Sequence, residues 1–362
     1  MRKKADSFFL ANLGALVILG LIILTSVSVV ISQKKFENSY YYIWHQVLYG
    51  FLPGLFGFIL LQKIHYRKLR KLAIPMLIVS IFLLLLVFKS GIGLSFGGAK
   101  RWISLYGYSF QPSELLKLTF VIYLAAWFEG RRKSIRGFFS GLLPFWFITG
   151  AISVFLILQP DIGTLGIILF TALAMYALAG GRLAHIILTI FMGFLILILI
   201  VEIAPYRMNR IITFFSPELD KLGMSYQINQ ALVGIGSGGF FGLGLGQSRL
   251  KYEFLPEAMG DSIFAVAAEE LGFIGSIVIV LLFFFLVWRI FVIAKNSYDK
   301  FGTLLAFGIG IWIGSQAFVN IAAISGLIPL TGIPLPFVSY GSSALLINLL
   351  AAGLVANISR HN

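Results

Sequence analysis

Ten long apolar stretches constrain this chain more than any other feature of its sequence. A helix needs about 20 mostly apolar residues to cross the hydrocarbon core of a bilayer, and most of the stretches are close to that length. The sequence therefore predicts an all-α, polytopic membrane protein with about ten transmembrane helices. The predicted spans are residues 9–32, 43–62, 72–88, 114–129, 138–158, 163–181, 185–204, 262–292, 302–325 and 341–358.

The composition agrees with this class and excludes several others. Hydrophobic residues make up 59% of the chain and charged residues 12%, whereas soluble domains carry about 25% charged residues. The chain has no cysteine, and its 4 histidines are scattered over different spans and sides. A disulfide framework and a histidine or thiolate metal site are therefore not predicted. The sequence has no phosphate-binding loop of the nucleotide-dependent kind, so it does not indicate an ATP-driven pump.

The basic residues predict which side of the membrane each end faces. The net charge is +14, and in membrane proteins Lys and Arg collect in short cytoplasmic loops. If ten spans alternate, 17 basic residues lie on the side of the N-terminus and 5 lie in the short segments of the other side. This asymmetry predicts that both termini are cytoplasmic. Membrane topology therefore accounts for the excess of basic residues, and no nucleic acid is predicted as a partner.

One segment outside the predicted spans is much longer than the others. Residues 205–261 connect spans seven and eight on the exoplasmic side, and they include a glycine-rich run at 234–246. Loops of this length are uncommon unless they have a function. We therefore interpret residues 1–362 as a single transmembrane domain with a functional exoplasmic loop at 205–261.

Six of the cations predicted on the exoplasmic side, against the bias of the positive-inside rule, stand out as candidate ligands. Arginine binds phosphate through a bidentate fork, so an anionic partner at the outer leaflet is one explanation, favoured most for Arg101 and Arg210. The alternative is that these side chains reach lipid headgroups. The six cations are Lys100, Arg101, Arg207, Arg210, Arg249 and Lys251.

Glu114 and Lys117 stand at membrane depth, where an ionisable side chain is costly and indicates a functional site by default. Their spacing of three residues places them on one helical face, where they can pair. Two interpretations are open. The pair is either a structural ion pair that neutralises itself below the outer surface, or the border of a cavity in which it orients a substrate.

Asp261 begins the eighth predicted span. An aspartate at a helix start is a good N-cap, and position alone favours that interpretation over a general base at the mouth of the bundle. Glu257 lies four residues earlier and could share a site with Asp261. Glu269 and Glu270 lie about 12 Å deeper by helical rise, and we expect them to tie this helix to its neighbours.

Ten short motifs run in order through most of the chain. They are GGAKRWI (97–103), QPSE (111–114) with Lys117, QPDIGT (159–164), YRMNR (206–210), YQINQ (226–230), GLGQS (244–248), LPEA (255–258) with Asp261, AEELG (268–272), TGIPLPFVSYG (331–341) and NISR (357–360). Together they resemble the motifs of the SEDS proteins (shape, elongation, division and sporulation), the family of FtsW, RodA and SpoVE. The last two motifs look more like FtsW than RodA. The chain departs from the family pattern around 259–262 and 339–344, where the polar chemistry is kept but neighbouring residues differ.

The resemblance implies a function and the residues that carry it. SEDS proteins are peptidoglycan glycosyltransferases that polymerise lipid II, a disaccharide-peptide on undecaprenyl pyrophosphate, at the outer face of the bacterial plasma membrane. The family position of the essential acid falls on Asp261, which the resemblance makes the general base. The implied substrate-binding residues are Lys100, Arg101, Arg207 and Arg210 for the pyrophosphate, with Glu114, Lys117, Gln227 and Ser339.

The resemblance also implies partners. Family members work with a class B penicillin-binding protein, and the FtsW-like motifs point to the division septum. No cofactor or metal ligand is assigned, although a divalent cation, Mg²⁺ or Mn²⁺, could help to stabilise the pyrophosphate. Two other functions would use the same lipid groove and cations. A lipid II flippase would need ionisable groups along a path through the bilayer, and a scaffold would recruit the transpeptidase.

Overall fold

Thirteen α-helices and three β-strands make up the part of the chain that the structure describes. The computed structural model describes all residues except 1–3, 90, 97–98, 106–107, 132–133, 204, 217–224, 253 and 362. Two π-helical turns, Val47–Phe51 and Phe138–Leu142, adjoin α-helices. The α-helices are α1 (Ser7–Phe36), α2 (Tyr41–Gln46), α3 (Leu52–Lys63), α4 (Lys68–Leu86), α5 (Pro112–Gly130), α6 (Leu143–Leu158), α7 (Ile162–Leu178), α8 (Leu183–Ile203), α9 (Pro205–Phe215), α10 (Tyr226–Ser237), α11 (Ile263–Lys295), α12 (Lys300–Ile324) and α13 (Ser342–Arg360).

Eight helical segments are long and apolar enough to cross a membrane, which confirms the predicted all-α, polytopic class. Two predicted spans form helices but fall short of that standard. Helix α5 carries Glu114, Lys117 and Glu129 among its 19 residues, and α7 is only 17 residues long. The total of ten spans stays a prediction. The eight segments are Ser7–Phe36, Tyr41–Lys63, Lys68–Leu86, Phe138–Leu158, Leu183–Glu202, Ile263–Lys295, Lys300–Ile324 and Ser342–Arg360.

A small antiparallel sheet lies between α4 and α5, where the all-helical prediction has no strand. Its strands β1 (Gly93–Phe96), β2 (Ala99–Leu105) and β3 (Tyr108–Phe110) lie in the order β1-β2-β3. Ile103 pairs with Gly93 on one side and with Phe110 on the other. Aromatic and β-branched residues such as those of β2 favour strands over helix. The sheet positions Arg101 at one end of the bundle.

Contacts at the two ends of the bundle agree with the predicted alternation of spans. At one end the backbone N–H of Asp6 donates to Ser359 Oγ at 3.1 Å, so both termini lie there. At the other end Arg101 Nε donates to the carbonyl of Gln159 at 3.3 Å, which joins two predicted exoplasmic loops. We call these the inner end and the outer end. The charge count predicts that the inner end faces the cytoplasm.

The packing of the helices is uneven. Helices α3 and α13 approach closely because glycine lies at their contact, and a Cβ atom on Gly353 would lie 2.9 Å from Phe58 Cα. Small residues allow such close approach in membrane bundles. Helix α8 instead leaves most of its side chains exposed. This difference leaves room for a groove between α8 and the centre of the bundle.

The glycine-rich part of the long outer loop docks into a break in α11. Gly272 has φ 69 and ψ −166 at this break, a backbone conformation that favours glycine. The backbone N–H of Leu243 donates to Glu269 O at 3.0 Å. Ser248 donates from its hydroxyl to the Glu269 carboxylate, and from its backbone N–H to Glu270 Oε1 at 3.3 Å. The prediction that Glu269 and Glu270 connect α11 to neighbouring segments of the protein is confirmed.

Candidate active site

Asp261 lies at the end of the outer loop, two residues before α11 begins. Its Oδ1 atom accepts hydrogen bonds from Gln227 Nε2 of α10 at 3.2 Å and from Ser262 Oγ at 3.3 Å. Gln227 also donates to Ser262 Oγ at 2.9 Å. The N-cap residue of α11 is Ser262, so the N-cap interpretation of Asp261 is wrong. The carboxylate bonds to another helix instead of capping its own.

Two further elements hold the backbone around Asp261. Asn320 Nδ2 of α12 donates to the carbonyl oxygens of Asp261 and Ile333, both at 2.8 Å. Ser339 Oγ donates to Gly260 O at 2.7 Å. These bonds fix the loop against α12 and against the segment that precedes α13. Ser339 therefore positions the loop, and its predicted contact with substrate stays a prediction.

The surroundings of the Asp261 carboxyl raise its pKa to about 6. The largest cause is desolvation, which disfavours the charged form, and the negative charge of Glu257 acts in the same direction. The hydrogen bond from Ser262 and the positive charge of Arg210 act to lower the pKa. A general base works best when its pKa lies near the operating pH. Asp261 is therefore deprotonated at neutral pH and still basic enough to accept a proton.

Asp261 lines a small cavity of about 250 Å³. Arg210 of α9 and Gln227 also line it, together with Pro256 and the apolar residues 328–330. A carboxylate, a carboxamide and a guanidinium therefore border one space at the outer end.

A much larger cavity of about 1230 Å³ lies between α7, α8, α11 and α12. Its lining is almost entirely apolar, and its two charged lining residues are Arg101 and Arg210. Arg210 and residues 328–330 line both cavities, so the two spaces share a wall. The arrangement suits a long hydrocarbon chain with an anionic head, because an apolar groove with a few placed polar groups is the usual form of a ligand site.

Backbone carbonyls, and not carboxylates, hold these two arginines. Arg101 Nε donates to Gln159 O at 3.3 Å, and its Nη2 donates to Pro160 O. Arg210 Nη1 donates to Leu330 O at 3.0 Å. Within the described part of the chain, neither arginine forms an ion pair. Their positive charge is therefore available to an anion such as a phosphate.

Lys100 and Arg207 are the other two predicted phosphate ligands. Lys100 is an exposed residue of β2, next to Arg101, and it lines neither of the two cavities. Arg207 lies on α9, one turn before Arg210, and its side chain is outside the described part of the structure. Substrate binding by these two residues stays a prediction.

Glu114 and Lys117 form an ion pair with a distance of 2.9 Å inside the bundle. Lys117 Nζ also donates to Gln316 Oε1 at 2.7 Å and lies over the Trp312 ring. Gln316 in turn donates to Pro334 O at 2.9 Å, in the segment before α13. Neither member of the pair lines either cavity. The contacts of the pair are with protein, and its contact with substrate stays a prediction.

Sequence reasoning missed Asn320 and residues 328–330. A polar residue in an apolar span commonly bonds across helices, so Asn320 carried a signal in the sequence. The Ile-Pro-Leu run at 328–330 carried no such sequence signal. Only the folded chain brings these apolar residues beside Asp261, where they form the wall between the two cavities.

The fold and the site define a polytopic membrane protein with an acid and two arginines at the end of an apolar groove. The chain belongs to the FtsW/RodA/SpoVE family of cell cycle proteins, whose profile matches residues 6–362. This confirms the resemblance seen in the motifs.

Individual relatives cover nearly the whole chain. It is 38% identical over 362 residues to stage V sporulation protein E of Bacillus subtilis, covering 100% of this chain and 99% of that protein. It is 40% identical over 340 residues to the probable peptidoglycan glycosyltransferase FtsW of a Geobacter species, covering 94% and 92%. A solved structure of a peptidoglycan synthase complex, in which polymerization and crosslinking are coordinated, matches 98% of each chain with 28% identity and a TM-score of 0.80.

Proposed function

We propose that this chain is a peptidoglycan glycosyltransferase that polymerises lipid II into glycan strands at the outer face of the bacterial plasma membrane. The observation that carries the proposal is the shared wall of the two cavities, because Asp261 lines the small one and Arg210 lines both. A polyprenyl chain in the apolar groove would bring its pyrophosphate to the arginines and its sugar to the carboxylate. Relatives named as probable peptidoglycan glycosyltransferases support the same reaction.

In this reaction Asp261 acts as the general base. It takes the proton from the 4-hydroxyl of the acceptor GlcNAc while that oxygen attacks the anomeric carbon of the donor MurNAc. The bond from this carbon to the pyrophosphate oxygen breaks, and undecaprenyl pyrophosphate leaves with the electron pair. An α-linked donor gives a β-linked product, so one displacement with inversion is sufficient and no covalent intermediate is needed.

The neighbouring residues orient the base and stabilise the leaving group. Gln227 holds the Asp261 carboxylate through its hydrogen bond to Oδ1. Arg101 and Arg210 stabilise the negative charge on the departing pyrophosphate, which preorganised cations do most effectively away from bulk water. Lys100 and Arg207 would add positive charge for the same anion.

A divalent cation, Mg²⁺ or Mn²⁺, is part of the proposal as a further source of positive charge at the pyrophosphate. Mg²⁺ is commonly held by one or two carboxylates together with substrate phosphates. Glu257 would be such a carboxylate, which leaves Asp261 to accept the proton. Within the described residues there is no group of three or more metal-ligating side chains.

We also propose a partner and a location. The structurally similar peptidoglycan synthase complex supports a class B penicillin-binding protein as the transpeptidase partner. The FtsW-like motifs favour a role in cell division, and hence the division septum. Lipid II is the substrate that links the two activities, because the strand made here is what a transpeptidase would crosslink.

A gel-based polymerisation assay on purified full-length protein with lipid II tests this function. Wild type should form glycan strands, and Asp261→Asn should lose about 10²–10⁴-fold of the rate, the usual contribution of a general base. Glu202→Gln is the matched control, because Glu202 is an exposed acid at the outer end of α8. It should keep wild-type activity.

The rival functions give different results in the same experiment. A flippase would move lipid II between the leaflets of a vesicle and form no polymer. A scaffold would form none, with or without the penicillin-binding protein. Absence of polymer from wild type under both conditions would overturn the proposal, and wild-type activity in folded Asp261→Asn would remove Asp261 from the role of base.

A further inference from the structure

A cluster of aromatic rings stands beside the loop that carries Asp261. It comprises Phe36 at the end of α1, Tyr41, Tyr42 and His45 of α2, and Tyr340 before α13, and we call it the aromatic shelf. The Phe36 and Tyr41 rings stack with 3.8 Å between centroids. The Tyr42 and Tyr340 rings meet edge to face at 5.1 Å, and His45 Nδ1 lies 3.1 Å from the Tyr340 hydroxyl. The rings therefore form one continuous surface.

The aromatic shelf is bonded directly to the loop of the base. The backbone N–H of Tyr340 donates to Met259 O at 2.8 Å. Met259 precedes Asp261 by two residues, so their Cα atoms are at most about 7.6 Å apart. No residue of the shelf lines either of the two cavities. The shelf thus borders the site at a place that neither the apolar groove nor the small cavity occupies.

The outermost rings of the shelf are open and have polar neighbours. Phe36 is 43% exposed and Tyr41 is 39% exposed. Glu37 and Asn38, in the turn between α1 and α2, are exposed beside them. Saccharides bind to such surfaces, because the C–H face of a pyranose stacks on an aromatic ring while its hydroxyl and N-acetyl groups bond to nearby carboxylates and amides.

An aromatic belt at the membrane interface is the other explanation for tyrosines at the ends of spans. A belt residue needs only the headgroup region around its ring, so a belt does not require its rings to contact one another. In the shelf, each ring contacts another, and the series ends on Tyr340, which is bonded to the catalytic loop. This continuity favours a ligand that extends from the site across the rings.

We propose that the aromatic shelf binds the growing glycan strand as it leaves the catalytic site. The inference rests on the proposed glycosyltransferase function. In that reaction the anomeric end of the donor lies at Asp261 with its pyrophosphate at the arginines, so the older sugars must extend along another surface. A strand that is held on the shelf stays bound between additions, and the shelf therefore controls strand length.

The length distribution of strands made by purified full-length protein tests this role. The double variant Phe36→Leu/Tyr41→Leu keeps apolar side chains that can anchor in a bilayer, but it loses the flat faces. We expect its initial rate of lipid II consumption to stay within about twofold of wild type, and its strands to be about threefold to tenfold shorter. Tyr41→Phe keeps the ring and should keep the length.

Two further variants complete the experiment. Tyr298→Leu removes an exposed ring at the inner end, and it should leave strand length unchanged. Glu37→Ala changes an exposed turn residue without touching the packing of the rings, and it should shorten the strands to a smaller degree, so the test does not depend on folding of the double variant.

Strands of wild-type length from the Leu double variant and from Glu37→Ala would overturn the inference and favour the membrane belt. Equal losses of initial rate and strand length would also overturn it, because the rings would then act on catalysis or folding. Failure of the proposed function would look different, since wild type itself would make no polymer.

Discussion

Arg289 at the inner end and the two cavity-lining arginines at the outer end are held in different ways. At the inner end Arg289 pairs with Asp6, with 2.6 Å between Nη2 and Oδ2. At the outer end Arg101 and Arg210 donate to backbone carbonyls. Among the described residues, neither outer arginine has a carboxylate partner.

This difference decides what each arginine can do. A carboxylate cancels the charge of the guanidinium that it holds, whereas a carbonyl orients a guanidinium and leaves its charge in place. Arg289 therefore serves the structure of the inner end, and Arg101 and Arg210 keep their charge for an anion. Three other arginines at the inner end also donate to backbone carbonyls, namely Arg131, Arg136 and Arg360. Position beside the large cavity therefore sets Arg101 and Arg210 apart, together with their contacts.

Removal of an outer arginine should have a large effect on turnover. We expect Arg210→Ala to lower kcat/KM for lipid II by about 10²-fold or more, because a preorganised charge at the leaving group is lost. Arg210→Lys should recover part of the loss. Steady-state kinetics on folded protein measure this, and a loss below about threefold would show that Arg210 does not bind the leaving pyrophosphate.

The charges around Asp261 should move the pH dependence in opposite directions. The base must be deprotonated, so activity falls as the pH drops through its pKa. Glu257→Gln removes a negative charge that raises the pKa of Asp261, so the acid limb of the profile of kcat/KM against pH should move to lower pH. Arg210→Ala removes a positive charge that lowers this pKa, so the limb should move to higher pH. Profiles of kcat/KM against pH check both, and shifts of the same sign would contradict the assignment.

Removal of an inner arginine should have a small effect, and on stability alone. The Arg289 side chain is 30% exposed, and exposed ion pairs contribute less than about 1 kcal/mol. We therefore expect Arg289→Ala to lower the thermal unfolding temperature slightly and to keep kcat/KM near wild type. If this variant lost as much activity as Arg210→Ala, the contrast between the two ends would be broken.

Much of the architecture could be predicted because the bilayer imposes strong rules on sequence. Apolar length identified the long helices, including α5 and α7, which are too charged or too short to qualify by themselves. It did not identify α9 and α10, which lie within the predicted loop at 205–261. The sheet at Gly93–Phe110 was missed because its strands are short and its segment lies outside every apolar stretch. Its pairing depends on residues that only folding brings together.

The sequence singled out charged residues of the candidate site but not the residues that form its walls. The rarity of acids in this chain left a handful of candidates, position alone assigned Asp261 to a helix cap, and the family resemblance selected it as the base. Its bond to Gln227 comes from a helix 34 residues away in sequence, which no local pattern reveals. Residues 328–330 are ordinary apolar residues whose role arises only from their place between the two cavities.

The pH dependence of lipid II polymerisation by wild type and by Asp261→Asn decides whether Asp261 is the base. For wild type we predict that kcat/KM falls below an apparent pKa of about 6, because the Asp261 carboxyl becomes protonated there. The residual activity of Asp261→Asn should lack this acid limb. A wild-type profile that stays flat through this range, or the same limb in Asp261→Asn, would contradict the account.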